Sequence, residues 1–187
     1  AYGHGYLETA EALAEGGADC FAVAAADEAL QMRKAGFCQD ILVLGGVDSE
    51  DIEKLIENNV TLNVYSRSAA KLVSNKAVKL GKTAKLHIKI DTGMSRIGYV
   101  AGAGKDDIIA DEIVSISLLK NIYVEGIFSH FSTSDEKDGS YTRLQFDRFM
   151  KICEKTRERG LEIPVRHIAN SAAIMQYPDM HLDMVRP

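Results

Sequence analysis

An alternation of short apolar runs with amphipathic stretches governs what this chain can fold into. Runs of strand length occur at residues 21–24, 41–44 and 61–64, from Leu86 onward, and at 122–128 and 164–168. Helical spacing fills the gaps between them. Leu7, Ala10, Leu13 and Ala14 share a face over residues 6–15, which Gly16-Gly17 stops. Asp27 is placed to cap a helix holding Ala29, Leu30 and Met32, ending at Gly36. Asp48 or Ser49 is placed to cap one carrying Ile52, Leu55 and Ile56. Ser66 or Ser68 opens another that turns Leu72, Val73, Ala77 and Leu80 inward. Residues 106–119 repeat the pattern through Ile109, Ile113, Ile116 and Leu119. Phe146, Phe149, Met150 and Cys153 form an i, i+3, i+4, i+7 face that ends at Gly160. A short helix is expected over 172–175, and residues 182–185 begin another strand.

Strand followed by helix, repeated, predicts a parallel sheet with helical crossovers. A doubly wound open sheet and a (β/α)8 barrel both satisfy this. The number of units favours the TIM-type α/β barrel, which usually takes ~250 residues. The 187 residues hold six expected strands and the start of a seventh, so the barrel is expected to lack its first strand and to be cut in its last. Barrel chemistry sits at the C-terminal strand ends. Tyr2, Arg96, His130, Asn170, Ser171 and Arg186 all fall there.

The segment LHIKIDTGMSRIG, residues 86–98, carries the sharpest chemical signal. Leu86, Ile88 and Ile90 point one way; His87, Lys89 and Asp91 point the other. If helices cover the apolar face, Lys89 points into the middle of the fold, where an unpaired ammonium is costly. Arg96 adds a second cation. Two confined cations call for an anion: a substrate carboxylate, a phosphate, or a modification that reverses the charge of Lys89. An edge strand with Lys89 in water is the plain alternative.

Elsewhere the residues exclude more than they assign. The net charge is −5 and no basic stripe with interleaved aromatics is present, which disfavours nucleic-acid binding. No apolar run approaches a membrane span. Cys20, Cys38 and Cys153 lack any Cys-x-x-Cys pairing, and free thiols in a reducing compartment are the simplest account. His87, His130 and His167 lack zinc-motif spacing, so no metal is expected. A Ser-His-Asp triad stays open, without a Gly-x-Ser-x-Gly elbow. Tyr2 and His4 lie in a glycine-rich segment before a helix, which suits an anion or a plain loop. His130 suits a base, a cofactor neighbour or a satisfied histidine. Asn170-Ser171 reads as an N-cap pair or a phosphate cradle. Arg186, among apolar residues, calls for a buried partner. Arg143, Arg148, Lys151, Arg157 and Arg159 are read as the solvated face of their helix.

AYGHG at 1–5, ILVLGG at 41–46, IKIDTGMSRIG at 88–98, SHFSTSD at 129–135, HIANSAA at 167–173 and DMVRP at 183–187 together resemble the alanine racemase family. The resemblance runs the whole length, and the ordered set is far more specific than any one motif. It implies a pyridoxal 5'-phosphate-binding barrel, followed in known members by a C-terminal β domain, in a cytoplasmic homodimer. It implies interconversion of L- and D-alanine, the D-alanine serving as a peptidoglycan precursor, by two bases that exchange the α-proton of the cofactor-bound amino acid. Tyr2 would bond the cofactor phosphate, with the Asn170-Ser171 region helping to cradle it. Arg186 would donate to the pyridine nitrogen, backed by His130. Arg96 would touch the cofactor's phenolic oxygen and the substrate carboxylate. Lys89 would match the lysine carbamylated in many members. The family's cofactor-anchoring lysine would precede Ala1 and its second base, a tyrosine, would come from a partner's C-terminal domain. The 187 residues alone are therefore expected not to racemise, and to be unstable in isolation. A racemase for serine or another small amino acid, and a non-catalytic cofactor-carrying barrel, are the competing readings. A barrel of unrelated chemistry would make the motif set coincidence.

Overall fold

The structure, a computed structural model, describes residues 3–102 and 104–187. Its elements run α1 (Tyr6–Glu15), β1 (Cys20–Val23), α2 (Ala26–Lys34), β2 (Asp40–Val43), α3 (Ile52–Glu57), β3 (Thr61–Val64), α4 (Arg67–Leu80) and β4 (Ala84–Asp91). They continue with β5 (Tyr99–Val100), α5 (Asp106–Ser117), β6 (Ile122–Phe128), α6 (Ser140–Glu158), β7 (Val165–His167), α7 (Ser171–Gln176) and a 3-10 turn at Pro178–Met180. The strands pair in the order β1-β2-β3-β4-β6-β7, every pair parallel, with β5 paired only to β4. The sheet curls as an incomplete (β/α)8-type barrel, and β1 and β7 form its two edges among the described residues.

The dry face of β4 holds this architecture together. Leu86, Ile88 and Ile90 are fully buried, and Ala77, Ile113, Ile116, Phe149 and Ile152 from three helices are buried in the same core. Each such leucine, isoleucine or phenylalanine contributes roughly 1.5–3 kcal/mol by leaving water, and Ala77 less. Helix ends follow local chemistry. Ser66 caps α4, its hydroxyl accepting from the Ala69 amide at 3.2 Å, and Gly81 closes it in the left-handed region at φ 64°.

Several boundaries differ from the sequence expectation. Asp27 does not cap α2; Glu28 reaches back instead, its carboxylate accepting from the amides of Ala24 (2.8 Å) and Ala25 (3.1 Å). The helix after β2 begins one turn later than Asp48 or Ser49 implies, with Asp51 in the cap position and paired to Lys54 at 2.7 Å. Leu72 is 39 % exposed rather than inward. Residues 182–185 form no strand. Leu182 turns to φ 55°, and the backbone-to-backbone bonds joining this segment to the chain around β7 are isolated ones, from Asp183 N to Arg166 O and from Arg186 N to Ala169 O, both 3.1 Å. The basic side chains of α6 are not all solvated. Arg159, at the C-terminal end of α6, is partly buried at 24 % exposure and pairs with Asp107 and Asp111 (2.9 and 2.6 Å); Lys151 stays exposed while pairing with Asp106 (2.8 Å), and both strap α6 to α5.

Candidate active site

The wet face of β4 points into the barrel. His87, Lys89 and Asp91 are buried there, at 4 %, 6 % and 7 % exposure. Opposite them β6 carries an irregularity. The register shifts between Leu86 and His87, so β6 holds an extra residue at Glu125. A bulge of this kind re-aims side chains. Here it brings the Glu125 carboxylate within 3.6 Å of His87 Nε2, while Thr61 Oγ1 donates to it at 2.9 Å and Lys85 pairs with it at 2.8 Å. Burial opposes the charge on Glu125, but these donors prevail and hold its pKa down to about 2. The next residue must be glycine, because a Cβ on Gly126 would stand 2.5 Å from the His87 ring.

From Glu125 a polar chain climbs toward the C-terminal strand ends. His87 Nδ1 lies 2.9 Å from His167 Nε2. Arg186 Nη1 meets His167 Nδ1, and Arg186 Nη2 reaches His130 Nδ1 and the Ser129 carbonyl, both at 3.1 Å. A guanidinium only donates, so the donor inventory fixes every proton along this line. His167 accepts at Nδ1 and therefore donates from Nε2 to His87 Nδ1. His87 then carries its hydrogen on Nε2, facing Glu125. His130 also accepts at Nδ1, leaving its Nε2 hydrogen for the cleft. Burial first, then the Arg186 charge, holds His130 down to about 4 and His167 well below its ordinary value, so both rings are neutral acceptors.

This line ends at a cleft of about 660 Å³, a size suited to a small ligand. Lys89, Arg96, Phe128, His130 and Arg186 line it, together with apolar residues that include Phe21, Leu44 and Ile97. Glu28 is also on the wall, but its carboxylate is spent on the start of α2. Among the described residues, no carboxylate pairs with Arg186; its partners are two neutral rings and a carbonyl. Burial lowers the Arg186 pKa to about 10. Lys89 sits 4.4 Å above the Phe128 ring centre. Burial, then Arg186 and Arg96, push the Lys89 pKa down to about 7 against the opposing pull of Asp91. The Asp91 carboxylate is turned to its own loop, accepting from the amides of Gly93 (2.9 Å) and Ser95 (3.0 Å). That turn launches Arg96 and closes through Gly98, at φ 132°, where a Cβ would lie 2.6 Å from Asp91 N.

Lys89, Arg96, His130 and Arg186 thus converge as the sequence suggested, and Arg186 has its buried partners. Asn170 is the N-cap of α7: its Oδ1 accepts from Ala173 N (3.0 Å) and from Ser134 Oγ (2.7 Å). Ser171 follows as the first residue of α7, exposed. Tyr2 lies outside the described residues. Sequence reasoning missed His87, His167 and Glu125 as parts of the site. The alternation that turned Lys89 inward turned His87 inward too, so one of the three was within reach.

A curled parallel α/β sheet with Lys89, Arg96, His130 and Arg186 on the wall of one cleft defines an incomplete barrel of the (β/α)8 class. A family model described as "Alanine racemase, N-terminal domain" matches residues 1–187, and the chain belongs to that family. It is 48 % identical over 187 residues to the alanine racemase of Clostridium tetani, covering all of this chain and 47 % of that protein. It is 46 % identical to that of Methanococcus maripaludis, covering all of this chain and 49 % of that one. The solved alanine racemase of Clostridium difficile 630 superposes with a TM-score of 0.94 at 39 % identity, over 99 % of this chain and 47 % of that one. The chain spans about half the length of the curated relatives it matches.

Proposed function

We propose that the complete protein is a pyridoxal-phosphate-dependent racemase that interconverts L- and D-alanine, and that residues 1–187 form most of its cofactor-binding barrel domain. A C-terminal β domain and a homodimer in the cytoplasm belong to the same reading. The observation that carries it is Arg186, a buried guanidinium fixed by His167, His130 and Ser129 and aimed at the cleft without a carboxylate. The residues fit the cofactor. A cation-rich wall suits its phosphate and phenolic oxygen, and an orienting arginine suits its ring nitrogen. Arg186 would hold that nitrogen, Tyr2 with Asn170 and Ser171 the phosphate end, and Arg96 the phenolic oxygen and the substrate carboxylate.

When bound, the cofactor supplies an electron sink that acidifies the α-hydrogen of alanine. The chain's own residues set how strong that sink is. Arg186 keeps all its protons between two neutral histidines, so it offers the ring nitrogen a hydrogen bond but no proton. By withholding a proton from that nitrogen, Arg186 would favour return of a proton to the α-carbon over transamination. Lys89 is half neutral near pH 7 and can add to carbon dioxide: a nitrogen–carbon bond forms, a proton leaves to solvent, and the product is a carbamate anion. Between Arg96 and Arg186 that anion replaces a clash of cations with ion pairs.

The test is on the full-length protein. With pyridoxal phosphate added, L-alanine should convert to D-alanine faster than L-serine converts to its D-form. A faster conversion of serine would reassign the substrate; bound cofactor with no turnover of either would favour a carrier. Incubation with ¹³C-labelled bicarbonate should give one carbamate signal that Lys89→Met abolishes.

A further inference from the structure

Helix α6 sends three side chains, one helical turn apart, toward the loop that carries Arg96. Tyr141 Oη donates to the Gly93 carbonyl (3.2 Å), and Arg148 Nη1 donates to the Thr92 carbonyl (3.0 Å). Between them Gln145 is fully buried. Its Nε2 donates to Thr92 Oγ1 (3.2 Å) and to the His130 carbonyl (3.1 Å). Its Oε1 accepts from the amide and the hydroxyl of Ser132, both at 3.0 Å. Both hydrogens and both lone pairs of the amide are therefore used. Thr92 Oγ1 also meets Ser129 Oγ at 2.9 Å, and the Ser129 carbonyl holds Arg186.

None of these partners belongs to α6. All four bonds go to the segments after β4 and β6, which carry Arg96 and His130. An apolar side chain would fill the same space but leave the Ser132 amide and the His130 carbonyl without these partners. We propose that Gln145 is a positioning residue: it locks the Arg96 turn to the His130–Arg186 cluster, so that the group holding the substrate carboxylate and the group orienting the cofactor keep one spacing. This rests on the racemase reading above and extends it to a residue that does not line the cleft.

The experiment compares wild type with Gln145→Met, which keeps the length and removes all four bonds, in the full-length protein. Amide hydrogen exchange should quicken about tenfold at residues 92–98 and 129–133, with residues 149–158 unchanged. KM for L-alanine should rise about tenfold while kcat changes less than threefold. Kinetics within twofold of wild type, or kcat and KM lost together with protection falling everywhere, would overturn the proposal. Should Gln145→Met fail to fold, Arg148→Met removes a half-exposed anchor of the same loop. It should raise exchange at 92–98 alone, and unchanged exchange there counts against the proposal. An inactive wild type sinks the functional reading instead; the exchange contrast needs no turnover, so the two failures are separable.

Discussion

The two faces of β4 differ more than any two domains of the molecule could. Leu86, Ile88 and Ile90 look outward into a dry layer of helix side chains; His87, Lys89 and Asp91 look inward, where buried polar groups pack around the Phe128 ring. One strand of eight residues therefore divides its labour residue by residue. The outer face tolerates any apolar group of the right volume. On the inner face each histidine ring is held in one tautomer by its hydrogen bonds, so its chemistry leaves no such latitude. Folding is carried by one face and the site by the other, and substitutions should separate them.

The sharpest break is expected at Arg186. Arg186→Glu in the full-length protein should lower racemase turnover by about 10²–10³-fold, the scale seen when one preorganised donor is removed. It should also raise the fraction of turnovers ending in transamination, which amino-acid analysis of the cofactor products would detect. No rise would mean the guanidinium does not restrain the electron sink. Next is the dry face. Ile88→Ala should cost about 3 kcal/mol of stability in a denaturant titration, while the residual native fraction keeps its kcat. Loss of kcat in the folded fraction would show that the faces are not separable.

Lys89 gives a pH-dependent contrast. Its folded pKa lies near 7, below its unfolded value, so folding disfavours the charged form. The penalty is fully present below pH 7 and fades as pH rises toward 10.5. In bicarbonate-free buffer Lys89→Met should therefore melt higher than wild type at pH 6, with the gap closing by pH 10. A gap that does not change with pH would place the effect in packing alone. Smallest is Thr61→Val, which removes one donor to Glu125. It should cost about 1 kcal/mol at pH 7. Because Glu125 is held at about 2, below its unfolded value, that cost should vanish as pH falls through 2.

Most of the fold could be read from local pattern, because each strand and helix of a βα repeat declares its period within a few residues. The spans Tyr6–Glu15, Thr61–Val64 and Ile122–Phe128 follow directly from periodicity. The two-residue strand β5 did not, since nothing local marks Tyr99–Val100 as paired to Ile90 and Asp91. Helix starts were misjudged where a side chain three residues inside, Glu28, did the capping. Lys89, Arg96 and Arg186 could be picked out as charges that needed company. Their company was legible only in part: His87 shares the alternation of Lys89, but its partner His167 lies 80 residues away, and Glu125 turns inward only because β6 carries one residue more than β4 across the pair.

Gly126 draws these threads into a statement about mutational tolerance. It touches neither the cleft nor any group expected to bind there, and its φ is one that any residue can adopt. Yet the smallest side chain would collide with the His87 ring. A scan of substitutions should therefore find a position silent to size-based intuition, between Glu125 and the permissive apolar Ile127, at which alanine already disables the protein from a distance.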